Sequence, residues 1–289
     1  MLKTARSITL VTAVLGLALA SLACNLPGSQ APPEEPTPFP ATSTTQSQQP
    51  SQTPMPLPSE TPSPDVRFEG ISFSYDDSLA RGVKTAIVPA SQYSDAPSWD
   101  INPEYYEIEL DGYLLPEHFH KPMVRVFPVE EYRQVSPAAG ETITALKSFL
   151  NQCPQRPEDI PFLPLWNAAQ MLQVKVSCLD FKNGRGVRFA TQYGQAANPI
   201  NNHDLFYTFQ GLTTDEKYYV SVVLPLSHPD LPPNGDNPPG GDWAAFSDRF
   251  AEYIEKMEQQ LDQYPDESFH PAFNLLDDLI KTLEITPGV

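Results

Sequence analysis

Positive charge is scarce in this chain: 18 Lys and Arg stand against 36 Asp and Glu, a formal net charge of −18. No run of basic residues occurs. Phosphate recognition needs clustered cations, so this deficit argues against nucleic acid and anionic lipid as partners. An excess of acid is also the plain expectation for a domain kept in solution by its net charge. Compact chemical signatures are lacking too. There is no Gly-x-Ser-x-Gly elbow, no phosphate loop and no Gly-x-Gly-x-x-Gly fingerprint, so neither a nucleophile nor a cofactor cradle is signalled, and no cofactor is expected. Long apolar runs are absent apart from Ile8 to Ala23, whose 16 residues fall short of the roughly 20 that span a bilayer as a helix.

That run is informative because of its flanks. Lys3 and Arg6 precede it, small residues close it, and Cys24 follows directly. This is the layout of an export signal over residues 1–23. The stretch Ser21, Leu22, Ala23, Cys24 resembles a bacterial lipobox, in which the cysteine receives a diacylglyceryl thioether and becomes the new first residue. Leu22 stands one place later than the usual leucine, so ordinary secretory cleavage to a soluble protein is the alternative. The resemblance implies membrane lipid as a partner through acylated Cys24, and a location on the extracytoplasmic side of the cell membrane. Loss of Lys3 and Arg6 leaves 16 basic against 36 acidic residues, a mature charge of about −20.

Residues 24–66 form the next compositional unit. From 25 to 66 they hold no Lys or Arg, few large apolar side chains, and many Pro, Ser, Thr and Gln. Such a segment buries too little surface to offset the entropy of ordering and reads as a disordered stalk. Its prolines bias it to extended conformations with a reach on the order of 100 Å.

Residues 67–289 read as one α+β domain, an antiparallel meander packed against helices. Ile71, Phe73 and Tyr75 alternate with small polar residues as a half-buried strand requires. Glu104 to Tyr113 alternates again, with Tyr106, Ile108 and Leu110 opposite Glu107 and Glu109, and Met123 to Phe127 makes another short strand. Ser136 and Pro137 signal the start of a helix reaching Asn151, with Ile143, Leu146 and Leu150 inward. Two hairpins follow. The first turns at Lys182 to Gly186 and the second joins Leu205–Gln210 to Tyr218–Leu226. Asp242 caps a helix carrying Trp243, Phe246, Phe250, Ile254, Met257 and Leu261, whose acidic residues, Glu258 among them, fall on a solvated face. A last helix follows Pro271, with Leu275, Leu276, Leu279 and Leu283 inward.

The opening G-I-S-F-S-Y strand, the hairpin L-F-Y-T-F-Q-G-L-T-T-D-E-K-Y-Y-V-S-V-V-L-P and the long helix after it resemble uncharacterised bacterial surface lipoproteins. More distantly the layout is similar to the Mog1/PsbP group of α+β domains. That second resemblance implies accessory binding or assembly roles rather than catalysis, and a shared fold does not by itself assign function.

Direct candidates for chemistry are few. Cys153 and Cys178 remain after Cys24, an even pair that closes a disulfide in an oxidising exterior or stays as two buried thiols. His118 and His120, with Glu117, would share a divalent metal if the segment were extended and both imidazoles pointed one way; surface or half-buried histidines are the plainer reading. Asn201-Asn202-His203-Asp204 precedes a strand, where His203 and Asp204 would orient a proton transfer only with partners from elsewhere, since neighbours in a strand point apart. Turn or capping duty suits the asparagines better. Asn234, Asp236, Asn237 and Asp242 are oxygen donors without the spacing of a calcium loop.

Two functions from different classes fit. One is a non-catalytic binding or assembly module that meets an envelope protein or external ligand, with exposed aromatics such as Trp99 or Tyr105 in the contact. The other is an envelope hydrolase using Glu107 or Glu109 with His203 in a cleft. The missing signatures favour the first.

Overall fold

The computed structural model describes residues 65–91, 96–154, 157 and 159–288. The expected export signal, Cys24 and nearly all of the proline-rich segment lie outside the described residues. In chain order the strands and helices are β1 (Asp65–Phe68), β2 (Ile71–Ser74), β3 (Gly82–Val88), β4 (Tyr105–Asp111), β5 (Met123–Pro128), α1 (Val129–Val135) and α2 (Pro137–Gln152). Then come β6 (Ala169–Gln170), β7 (Val174–Phe181), β8 (Gly184–Thr191), β9 (Tyr193–Gly194), β10 (Phe206–Thr213) and β11 (Tyr218–Pro225). The chain closes with α3 (Trp243–Asp248), α4 (Phe250–Gln263), α5 (Phe273–Thr282) and β12 (Glu284–Ile285). The fold is α+β.

Two meanders make one seven-stranded antiparallel sheet in the order β3-β4-β5-β11-β10-β8-β7. The predicted hairpins supply four of these strands. Their junction is β11 against β5, where Val220 faces Val126 and Val222 faces Val124. Along β10 successive side chains serve opposite faces, as the two-residue period of a strand dictates. Phe206 and Leu212 join a core under α2 with Phe127, Phe189 and Tyr219. Tyr207 and Phe209 join the other core, under α5, with Phe273, Leu276 and Leu279. Burial on both faces explains why β10 and β11 lack the clean polar alternation of an exposed strand.

Two helix starts, those of α2 and α3, follow their capping chemistry. Ser136 Oγ accepts from Ala139 N and Pro137 opens α2, while Asp242 Oδ1 accepts from the amides of Ala244 and Ala245 at the start of α3. The apolar stripe predicted on one helix is carried by two. Arg249, at φ −113° and ψ 16°, separates α3 from α4, and its guanidinium Nε donates to Ala245 O at 3.3 Å. Of the stripe, Phe246 and Leu261 are buried and Trp243 is 45% exposed.

The acidic face of α4 is not wholly solvated either. Glu258 accepts the amide of Gln173 at 2.8 Å and Asp262 that of Lys175 at 2.7 Å. A register shift between Val174 and Ser177 frees that Lys175 amide from the ladder, and the carboxylate of Asp262 replaces the missing strand partner.

Six elements, β1, β3, α1, β6, β9 and β12, have no counterpart of their own in the sequence reading. β1 begins at Asp65, two residues before the expected start of the domain. With β2 and β12 it forms a separate three-stranded sheet. The edge strand β3 has exposed or half-buried side chains throughout, so it lacks the alternation that would reveal it. Cys153, the C-cap of α2, is disulfide-bonded to Cys178 on β7, with Cα atoms 6.2 Å apart.

Candidate functional site

On the α2 side of the sheet the helix packs over β8 and β10. Beyond it the segment 160–170 crosses the same face, and buried polar side chains of the strands hold that crossing in place. Gln210 Oε1 accepts from Leu163 N at 3.0 Å and from Tyr219 Oη at 2.6 Å, while its Nε2 donates to Thr208 and Ser221. Ser221 Oγ in turn donates to Leu163 O at 2.6 Å. All four hydrogen-bonding positions of the Gln210 amide are therefore used, which is the condition for burying it. At the far end Gln170 bonds both backbone groups of Ile160 and the Tyr193 hydroxyl.

Fixing this segment sets Trp166 on the sheet. Its ring meets His120 at 4.9 Å in a near-parallel stack, Phe162 at 4.7 Å, Tyr193 at 4.9 Å and Phe206 at 5.5 Å. Beside it opens a cleft of about 900 Å³, within the range of small-ligand sites. Met123, Arg125 and Val223 form its sheet floor, Trp99 and Phe119 its rim, and Trp166 and Tyr193 one wall. A second hollow of about 720 Å³ lies against α2 and shares Leu165, Trp166, Ala168 and Tyr193 with the first.

The floor cation of the cleft, Arg125, is already matched, and the exposed Lys121 stands at ion-pair distance from a carboxylate. Arg125 Nε lies 2.8 Å from Glu107 Oε2, and Lys121 Nζ lies 3.8 Å from Glu109 Oε2. These pairings engage the two carboxylates considered for catalysis, and neither Glu107 nor Glu109 lines the cleft. Tyr105 is half-buried against Phe127, ring centroids 4.7 Å apart, so it does not serve as the exposed aromatic contact expected of it. Trp99, 39% exposed, does line the cleft.

The histidines come together from two loops. Phe119 N donates to His203 O at 2.9 Å, joining the β4–β5 connection to the 201–204 turn. Residues 117–120 form an irregular turn and not an extended strand, and of the two histidines His120 lines the cleft and His118 does not. His120 enters the cleft on Trp166. Burial pushes its imidazole down to about 4, with nearby Asp204 opposing and His203, Arg125 and His118 adding to the fall. His118 is also lowered, first by burial, and among the described residues neither of its ring nitrogens finds a hydrogen-bond partner. No group of three or more His, Cys, Asp or Glu among the described residues is placed to hold a metal ion.

His203 and Asp204 do meet, Nδ1 to Oδ1 at 2.7 Å, because they sit in a turn and the opposed directions of a strand do not apply. Asp204 also accepts from Asn201 Nδ2 at 2.9 Å and faces the cleft. Asn201 and Asn202 pin the turn: Asn201 N donates to Gln192, and Asn202 bonds the backbone of His228 and Leu231. In the later loop Asn234 accepts from Asp236 N, while Asp242 is committed to its helix cap. Sequence reasoning did not find Trp166, Tyr193 or Arg125, since they lie on three separate segments with no local pattern joining them.

Among the described residues no helix is long and apolar enough to cross a membrane. Comparison with protein-family models, curated proteins and solved structures finds no match.

Proposed function

We propose that this chain is an exported lipoprotein whose α+β domain is a non-catalytic binding module, held outside the cell membrane by acylated Cys24 on a proline-rich stalk. The likeness to bacterial surface lipoproteins belongs to the same reading. The anchor is supported by Lys3, Arg6, the apolar run and the small residues before Cys24. A disulfide between Cys153 and Cys178 is compatible with an oxidising exterior.

One observation carries the binding role. The cleft presents exposed aromatic rings and polar side chains on a sheet floor, while its floor cation, Arg125, is satisfied within the protein by Glu107. Its occupant is an external ligand or a segment of an envelope protein. The hydrolase reading has one observation in its favour, the His203–Asp204 pair at the cleft. The carboxylates that would accompany it are engaged by Arg125 and by Lys84 and Lys121.

The test is the intact mass of the mature N-terminus, recovered from membranes after expression with residues 1–24 unaltered. A diacylglyceryl group on Cys24, with release of Cys24→Ser protein to the medium, is the expected result. An unmodified N-terminus found only in the medium would falsify the anchor.

A further inference from the structure

Resting on that binding reading, we infer that the cleft and the hollow beside it form one groove for a neutral oligosaccharide, with a subsite on either side of Trp166 and Tyr193. The two hollows, about 900 and 720 Å³, share the Trp166–Tyr193 wall. Each falls within the range of a small-ligand site, and two in sequence fit a ligand built of repeating units better than one compact molecule.

The lining matches the two-sided chemistry of a sugar ring. A pyranose offers an apolar C–H face and a rim of hydroxyls. Trp99 and Phe119 are 39% and 68% exposed at the cleft rim, flat surfaces for the apolar face. Asn167, Gln195, Asn198 and Asp204 line the same cleft and bring amide and carboxylate groups able to take hydroxyls as donors and acceptors.

Charge selects a neutral ligand. Arg125 and Lys121 are paired with Glu107 and Glu109, Asp100 and Asp204 add negative charge to the cleft, and Glu141 and Asp159 line the second hollow. An acidic glycan would meet like charge on a chain of net charge −18. A peptide adding a strand needs a free sheet edge. The edges of the large sheet, β3 and β7, contribute no residue to the two hollows, and the β6–β9 pair that lines them has only two residues in each strand, too short an edge to template a peptide strand.

Two of the three tryptophans, Trp99 and Trp166, line the groove and Trp243 does not, so intrinsic emission reports on binding. The intact protein is titrated with hexasaccharides of glucose, xylose, mannose and N-acetylglucosamine, with polygalacturonate, and with a proline-rich peptide. The expected result is saturable binding of at least one neutral hexasaccharide, weakened about tenfold for its disaccharide and about tenfold by Trp99→Ala or Phe119→Ala. Both substitutions are at exposed positions, and a thermal melt checks that each variant remains folded.

Failure of all four hexasaccharides at millimolar concentration overturns the saccharide assignment. Peptide binding lost in the two variants would then leave the binding module standing without it. Equal affinity for disaccharide and hexasaccharide overturns the paired subsites. Release of reducing ends from a bound hexasaccharide, abolished by His203→Ala, keeps the ligand class and overturns the non-catalytic reading.

Discussion

His120 lies flat on Trp166, ring centroids 4.9 Å apart and planes within 6° of parallel, with the Phe206 ring centroid 4.4 Å away at 62°. An imidazole in that setting is stripped of water, so its neutral form is favoured and its pKa falls to about 4 from an ordinary 6.5.

The sign of the consequence follows from proton linkage. Between pH 6.5 and 4 the unfolded chain binds this proton and the folded one does not, so folding weakens as pH drops through that window. Above 6.5 the contribution is fully present. Complete loss corresponds to about 3 kcal/mol, since each pKa unit is worth about 1.4. His120→Phe keeps a ring on Trp166 and removes the titration. Denaturation at pH 7.5 and 4.5 should show the wild type losing about 2–3 kcal/mol more than this variant. Equal losses would show that His120 is not held neutral by the fold.

Gln210 is the positioning residue for the cleft. Replacing it with Leu leaves the Leu163 amide and the Tyr219 hydroxyl without their buried acceptor, at a cost of roughly 2–3 kcal/mol. The 160–170 segment then loosens, and Trp166 with it. Chemical denaturation gives the stability, and a red-shifted, more quenchable tryptophan emission in the folded variant gives the displacement. A destabilised variant with unchanged emission would assign Gln210 to packing alone.

These two residues also mark the limits of the sequence. The hairpins around 182–186 and 211–216 were legible because turn residues and β-rich runs are local signals, and so was the Ser136-Pro137 helix start. Strand β3 was not, because an exposed edge strand such as Gly82–Val88 carries no buried face to pattern it. The break at Arg249 was hidden by a stripe that keeps helical spacing across it. The cleft was the least legible of all. Gln210 reads as an ordinary polar strand residue until the Leu163 backbone is seen to need it, and His120 acquires its partner Trp166 only through folding. His118 with His120, and His203 with Asp204, read in the sequence as two separate candidates, and only the meeting of their two loops through Phe119 N and His203 O brings them near one another.

The Cys153–Cys178 bond ties the end of α2 to the edge strand β7 across a separation of 25 residues. A closed loop of that size stabilises by about 3 kcal/mol, chiefly by restricting the unfolded chain. Cys153→Ser with Cys178→Ser should lower the denaturation free energy by that order, and reductant should shift the wild type in the same direction while leaving the double variant unmoved. Insensitivity of the wild-type transition to reductant would remove the disulfide from the account of stability.

Arg188 is the counterpart of the cleft on the opposite face of the sheet, a charge placed for structure. Its guanidinium lies under α5 with Cζ 4.7 Å from the Phe273 ring centre and Nη2 3.1 Å from Asp266 Oδ2. Its Nε is 3.4 Å from Asp277 Oδ2, within ion-pair reach though not aligned as a hydrogen bond. Burial raises the Asp277 carboxyl above the usual range, and Arg188 and the Tyr207 hydroxyl oppose that rise. Removing the cation therefore strands a buried carboxylate, and Arg188→Met should cost on the order of 3 kcal/mol at neutral pH. Without Arg188 the Asp277 pKa climbs further. The folded state then binds a proton that the unfolded chain does not, so the defect should shrink as pH falls toward 4. Adding Asp277→Asn removes the stranded charge, and the double variant should be more stable at neutral pH than Arg188→Met alone. A double variant no more stable than Arg188→Met would locate the loss in packing against Phe273 instead of in the ion pair.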